Sequence, residues 1–412
     1  MAAGLGRWRF GVGKKMTLRR VMHVIASLES GGVERLLVKS LAQFDRRQFS
    51  HSVCCVSKGG AYAVEVHALG VPCWIMNRRA RFDPMLIGQI ARRMRSEQID
   101  VVHTYNFTAN AWGRIAARLA RVPKVIAHER GTVWTENALM RLVDRLLYPF
   151  TDVLIANSQA SSLMLAQRLH LPLGKVRVIY NGLPQPNEDR PSLSLRAKLG
   201  IGADTPLIGT VGRLDTPKGL TFLLRAIPLI WESLPATHLA IIGDGPLRTY
   251  LENFAHQLGL FPHPQVHFLG FRADAAERMS ELDVMVHPAI RESLGNVLIE
   301  AGWARIAVVT SNVDGCPEVV VDRESGLLVD CTEAVKFIPA PGVSPLPQTV
   351  VDGRTRQLRP PLAPSPQALA QATLTLLRDT SLRQSLGQNG FERVRNLFDL
   401  ERYVRDLEQI YR

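Results

Sequence analysis

The chain has only five cysteines, Cys54, Cys55, Cys73, Cys316 and Cys331, an odd number with no C-x-x-C among them. That argues against a disulfide framework or structural zinc, and for reduced thiols in a cytoplasm. No apolar run approaches bilayer-spanning length. Residues 1–15 carry Arg7, Arg9, Lys14 and Lys15 but no apolar core, so they do not read as a secretory signal. Residues 1–18 are expected to be a flexible extension, with Met16 an alternative start. The dinucleotide fingerprint G-x-G-x-x-G is missing, and so is the P-loop G-x-x-x-x-G-K-[ST], which disfavours ATP hydrolysis of that type. No D-x-D or His/Asp cluster of metal-site form occurs, so no metal or other cofactor is expected and the cations of any site must come from side chains. Zinc-finger spacing, an RNP-like aromatic cluster and a basic region leading into heptads are all absent, so no nucleic acid is expected as partner.

What is present is an ordinary globular composition, 46% hydrophobic and 21% charged, in 412 residues. That length exceeds one comfortable core and predicts two domains. The net charge of +13 is unevenly placed: residues 1–190 hold 28 Lys and Arg against 13 Asp and Glu, and the remainder 22 against 24. A basic first half beside a near-neutral second implies that the first half meets something anionic. A membrane surface or an anionic lipid-linked substrate fits, while a solvated basic face accounts for many individual arginines.

Short apolar runs alternate with helical patterns throughout. Arg20–Ala26 reads as a buried strand, followed by Gly31-Gly32 and a helix through Leu36, Leu37 and Leu41. Strand, glycine turn and helix is the opening of a doubly wound unit. Later strands end in polar residues: His103-Thr104-Tyr105 after one, His128-Glu129-Arg130 after the next, Asn157-Ser158 after a third. Open α/β sheets bind ligands at that edge. One strand-end histidine is usually structural; two beside a glycine turn favour a site. Pro184, Pro186 and Pro191 mark a linker, after which the pattern restarts. The prediction is an α/β chain of two Rossmann-like domains facing a central cleft, residues 19–184 and 205–390, joined by linker 185–204. Residues 332–366, rich in proline, read as an insertion or loop, and 391–412 as a helix crossing back to the first domain.

The most informative stretch is His287–Glu300. Pro288 stops a strand, a polar loop carries Glu292, and a helix is expected from Leu294 to about Arg305 with Ser293 or its neighbour as N-cap. The amides of Gly295 and Asn296 then sit at a helix N-terminus, which favours an anion. Glu292 and Glu300, eight residues apart, would be separated by about 12 Å along a helix, too far for a glycosidase-style carboxylate pair, which needs a shorter or water-spanning gap. As a cap and a solvated side chain they would need no function. Arg213 and Lys218, however, follow the first strand of the second half, at the same sheet edge. A guanidinium, an ammonium and a helix N-terminus converging there make a diphosphate clamp.

Gly31-Gly32, Asn157-Ser158, Asn181-Gly182, Gly212-Arg213 with Lys218-Gly219, Gly243-Asp244-Gly245-Pro246, and Glu292 with Glu300, then Pro317-Glu318 and Gly326-Leu327, resemble the retaining GT-B glycosyltransferases of family 4, the glycosyl transferases group 1. The resemblance spans roughly residues 20–330. It implies the GT-B fold, a second domain that binds a nucleoside-diphosphate sugar and a first domain that binds a saccharide or lipid-linked acceptor. Carried over residue by residue, Gly212, Arg213 and Lys218 hold the diphosphate, Leu294, Gly295 and Asn296 lie near the phosphates, Glu292 faces the sugar, Glu300 takes the ribose hydroxyls, and Gly270 and Phe271 lie near the base. Gly31, Gly32, His103, Tyr105, His128 and Arg130 make the acceptor side, and Arg213, Lys218, Glu292 and His103 the catalytic set. The family often has His-x-His where this chain has His103-Thr104-Tyr105, and Gly and Pro where it has Arg305 and Ala307. The implied protein is a cytoplasmic, peripheral enzyme of the inner membrane face, building surface polysaccharide or lipopolysaccharide. A nucleotide-sugar epimerase or hydrolase of the same fold, and a non-catalytic sugar-nucleotide-binding protein at the membrane, are the alternatives.

Overall fold

The computed structural model describes residues 18–29, 31–78, 83–130, 138–172, 174–186, 194–336 and 341–412. The expected N-terminal extension and the middle of the linker lie outside the described residues. Two parallel sheets account for the two halves. The first has the order β3-β2-β1-β4-β5-β6-β7. Its strands are β1 (Arg19–Ile25), β2 (Phe49–Cys55), β3 (Cys73–Ile75), β4 (Val101–Tyr105), β5 (Lys124–Glu129), β6 (Val153–Ala156) and β7 (Val176–Val178). The second has the order β10-β9-β8-β11-β12-β13. Its strands are β8 (Leu207–Val211), β9 (His238–Ile242), β10 (Val266–Gly270), β11 (Val284–His287), β12 (Ala307–Ser311) and β13 (Leu327–Val329). Buried on both faces, these strands read as continuous apolar runs, which is why they were legible. Both sheets start in the middle and wind outward in both directions, so each places a crevice at the carboxyl ends of its central strands.

The first domain's helices are α1 (Gly32–Leu41), α2 (Ala61–Ala68), α3 (Pro84–Ser96), α4 (Asn106–Ala120), α5 (Ala138–Leu147) and α6 (Gln159–Leu169). α3 and α4 pack against Met22, Val24 and Val102 on one face of the sheet. The opposite face, with Val21, Ile25 and Tyr105, is covered by α1 and by a helix from the far end of the sequence, Leu400–Tyr411. This crossing helix starts at Leu400, not at residue 391. Thr380–Leu397 stays on the second domain, and Asp399 caps the next helix by accepting the amides of Glu401 at 2.8 Å and Arg402 at 3.2 Å.

Two other expectations change. The linker contains a short helix, Leu195–Leu199, tied to the second domain through Arg196 Nη2 to Asp283 Oδ2 at 2.7 Å. The proline-rich stretch is more than a loop: Cys331–Ala334 pairs antiparallel with Leu362–Pro364, and Val350–Val351 with Leu358–Arg359. Val350 and Val351 are completely buried.

Candidate active site

The carboxyl edges of the two sheets face each other. Arg35 on α1 donates to Glu300 Oε1 at 2.9 Å, and Asn181 Nδ2 donates to Asn296 Oδ1 at 2.8 Å. Glu318 of the second domain accepts the amides of Gln159 and Ala160, at 2.7 and 2.9 Å, capping α6 across the domain boundary.

Lys218 sits in a single 3-10 turn, Thr216–Lys218, opened by Asp215, whose Oδ1 accepts the Thr216 amide at 2.8 Å. Ile290 N donates to Pro217 O at 2.8 Å, so this turn is stitched to the loop after β11. Gly219 closes the turn at φ 64°, and a Cβ there would fall 2.0 Å from the Pro288 carbonyl oxygen. Only glycine satisfies both the left-handed backbone and that approach. The result is a fixed contact: Lys218 Nζ lies 2.5 Å from Glu292 Oε2, and His287 Nε2 lies 3.0 Å from the same oxygen.

The charge state of this cluster follows. Burial works to raise the Glu292 carboxyl, but the Lys218 ammonium and the His287 hydrogen bond outweigh it and hold the group down at about 2. Burial lowers His287, leaving it neutral, and since a carboxylate only accepts, its Nε2 carries the proton. Below Glu292, Asp314 accepts the Glu292 amide at 3.2 Å and the Val351 amide at 2.7 Å. Burial raises its own carboxyl to about 6. Because Glu292 is depressed, it stabilises the fold fully above its ordinary 4.5, and that contribution is lost as pH falls toward about 2. The melting-temperature gap between wild type and Glu292→Gln should therefore be widest above 4.5 and close toward 2; a gap constant over that window would refute the pairing.

The donor-side helix runs from Asn296 to Trp303, with Gly295 as its N-cap at φ 94°. Ser293 is not the cap. The left-handed turn at Gly295 moves the helix start two residues on, and a Cβ there would lie 2.8 Å from Leu298 Cδ1. The Asn296 amide still belongs to the helix's unpaired N-terminal set. Leu294 is buried beneath it. Glu300 is tied up by Arg35; burial raises its carboxyl and the guanidinium opposes that. Arg213 stays largely exposed beside Gly212 at the end of β8, with Nε 3.5 Å from Asp215 Oδ2 and Nη2 3.4 Å from the Gly342 carbonyl oxygen. Phe271, 80% exposed, follows Gly270 at the end of β10. Among the described residues no cluster of three or more His, Cys, Asp or Glu is placed to hold a metal ion.

The acceptor side differs from expectation. Gly31 and Gly32 open α1 at the cleft, and a Cβ on Gly32 would lie 3.2 Å from Asn296 Nδ2. His103, Tyr105, His128 and Arg130 do not line it; all four are buried. Strand alternation sends Val101, His103 and Tyr105 to the sheet face that Leu400–Tyr411 covers. There His51 Nδ1 meets His23 Nε2 at 2.9 Å, His23 Nδ1 meets the Tyr105 hydroxyl at 2.8 Å, and His103 Nδ1 meets the Tyr411 hydroxyl at 2.7 Å. His103 Nε2 continues to His128 Nδ1 at 3.2 Å. Burial above all lowers the pKa of each imidazole, so the row is neutral. The Arg130 guanidinium stacks over Tyr105 at 4.9 Å and Tyr403 at 5.2 Å. His103 is therefore buried in the first domain, against the C-terminal helix that completes it. Arg35, His287 and Asp314 were missed. His287 stood at a strand end and could have been found there; nothing local marks the other two.

Two Rossmann-like domains with a cationic, helix-capped cradle at one carboxyl edge have the architecture of the GT-B glycosyltransferases. The comparisons agree. Residues 192–340 match the family described as Glycosyl transferases group 1, and residues 30–184 match Glycosyltransferase Family 4. An uncharacterised glycosyltransferase of Methanocaldococcus jannaschii is 30% identical over 247 residues, which cover 57% of this chain and 63% of that protein. The Escherichia coli UDP-Gal:alpha-D-GlcNAc-diphosphoundecaprenol alpha-1,3-galactosyltransferase is 26% identical over 78% of this chain and 86% of its own. In fold, the chain resembles Anabaena HepE solved in complex with UDP, with TM-score 0.75, 23% identity, and 95% and 99% of the two chains covered.

Proposed function

We propose that the protein transfers a sugar, with retention of configuration, from a nucleoside-diphosphate sugar to a lipid-linked saccharide, in the synthesis of a bacterial-type surface polysaccharide or lipopolysaccharide. The observation that carries this reading is the Lys218–Glu292–His287 cluster beside the N-terminus of helix Asn296–Trp303. In it, Lys218 and Arg213 neutralise the diphosphate together with the Gly295 and Asn296 amides. Glu292, fixed and ionised, accepts from hydroxyls of the donor sugar. Glu300 exchanges Arg35 for the ribose hydroxyls, and the exposed Phe271 ring stacks on the base.

The acceptor oxygen bonds to the anomeric carbon on the face from which the diphosphate leaves, as the bond from that carbon to the phosphate oxygen breaks. The acceptor proton passes to a departing phosphate oxygen, and the products are the glycoside and a nucleoside diphosphate. Negative charge grows on the leaving group, so a preorganised cation is the largest catalytic contribution available. Side chains supply that charge in this reading.

A uridine diphosphate sugar is the first donor to test, because HepE is solved with UDP-glucose and the Escherichia coli relative's name specifies UDP-Gal and a diphosphoundecaprenol acceptor. Nucleotide sugars are screened for thermal stabilisation, and the hit is offered with a polyprenyl-diphosphate saccharide. The expected result is a glycoside whose anomeric configuration, read by NMR, matches the donor's. An inverted product would refute retention. Free sugar released without acceptor would favour a hydrolase, and binding without turnover a non-catalytic protein.

A further inference from the structure

The proline-rich stretch between β13 and the helix Pro366–Arg378 returns repeatedly to the carboxyl edge of the second sheet. Its second ribbon is firmly anchored. Val351 donates to Asp314 Oδ1 at 2.7 Å and accepts the Asp314 amide at 2.8 Å, beneath Glu292. Arg359 Nε donates to Asp352 Oδ2 at 2.7 Å within the ribbon, and Arg356 Nη2 reaches Glu318 Oε1 at 3.2 Å. A segment held in this way delivers residues 342–344 to a fixed place. That place is the loop after β8 that carries Arg213 and Lys218.

Ser344 meets Asp215 there twice. Its amide donates to Oδ1 at 2.9 Å and its hydroxyl to Oδ2 at 2.5 Å. Asp215 is 5% exposed, and a carboxylate buried that deeply needs donors from the protein, because water cannot supply them. The Thr216 amide serves Oδ1 as well, whereas Oδ2 has the Ser344 hydroxyl, with Arg213 Nε farther off at 3.5 Å. The Arg213 side chain stays 63% exposed, and its Nη2 lies 3.4 Å from the Gly342 carbonyl oxygen. Both contacts are long for a guanidinium. Ser344 thus satisfies the oxygen that would otherwise draw Arg213 inward.

We propose that Ser344 is a positioning residue for the donor: by bonding Asp215 Oδ2 it leaves Arg213 available to the diphosphate. This rests on the donor reading above, in which Arg213 and Lys218 neutralise that group. Without the hydroxyl, Asp215 Oδ2 takes Arg213 as its remaining donor, and an incoming diphosphate has to break that pair. The cost falls on the free enzyme alone. Once bound, the diphosphate holds Arg213 as before, so KM for the donor rises while kcat holds. A hydroxyl that only braced the Lys218 turn would act on kcat instead.

UDP, GDP and ADP are titrated into the full chain by calorimetry, and the tightest binder is carried through the variants. Ser344→Ala should weaken its Kd about tenfold, as for loss of a hydrogen bond to a charged group, with cooperative melting retained. Ser344→Thr, which keeps the hydroxyl, should bind like wild type. In an Arg213→Ala background, Ser344→Ala should change Kd by less than about twofold, because no guanidinium is left to divert. In transfer assays of Ser344→Ala the donor KM should rise while kcat holds. An equal loss of affinity in the Arg213→Ala background, unchanged binding by Ser344→Ala, failure of threonine to restore binding, or a fall in kcat at constant KM overturns the proposal. Binding of none of the three nucleotides by wild type would sink the donor reading itself, and the role of Ser344 with it.

Discussion

Replacing Lys218 by alanine is expected to lower kcat/KM for sugar transfer by about two to three orders of magnitude with the fold intact. The 3-10 turn that carries it is held by Asp215, by the Ile290 amide and by the Gly219–Pro288 approach, none of which uses the lysine side chain. What is lost is the ammonium 2.5 Å from Glu292. The loss has a second sign. Without Lys218, burial acts on Glu292 against the His287 bond alone, so the carboxyl should rise from about 2 toward its ordinary range. Adding Glu292→Gln to Lys218→Ala should then recover stability and no activity. Steady-state kinetics and melting curves on the two variants separate these effects. Near-normal turnover by Lys218→Ala would sink its assignment, and a double variant that regains turnover would show that the lysine acts only on Glu292.

Removing residues 399–412 is expected to prevent the first domain from folding. The helix Leu400–Tyr411 buries Leu400, Tyr403, Val404, Leu407, Ile410 and Tyr411 in the core that includes β1, β4 and β5. At about 1.5–3 kcal/mol for each large apolar side chain, the sum rivals the whole stability of a typical domain. The cut would also open the histidine row to water at Tyr411. Tyr411→Phe keeps the packing and deletes the hydroxyl 2.7 Å from His103, so it should cost only about 1 kcal/mol. Soluble yield and thermal melts distinguish the two. A truncated chain that melts cooperatively near the wild-type temperature would mean that the first domain is complete without this helix.

The strands and the two loops that bring Lys218 to Glu292 were legible because their signals are local. Val101–Tyr105 is a continuous apolar-to-polar run, and Lys218 and Glu292 lie in short loops directly after strands of one sheet. The acceptor half misled for a definite reason. Strand-end position tells which edge a residue is near, while alternation decides which face it joins, and the face of His103 is covered by Tyr411, 308 residues later. Arg35 with Glu300 is separated by 265 residues and has no periodic trace. The start of the donor helix depended on one left-handed glycine, Gly295. The proline-rich stretch hid its ribbons because strands of two to four residues leave too little alternation to read.

The crossing helix also sets the order of assembly during synthesis. The first sheet leaves the ribosome with β7, yet its covering helix follows only after the whole second domain has been translated. At about 5–20 residues per second, that interval is on the order of ten seconds or more. Throughout it the imidazole row and its apolar surround lie open, a ready target for chaperones and proteases. The second domain's folding thus delivers the segment that ends the first domain's exposure.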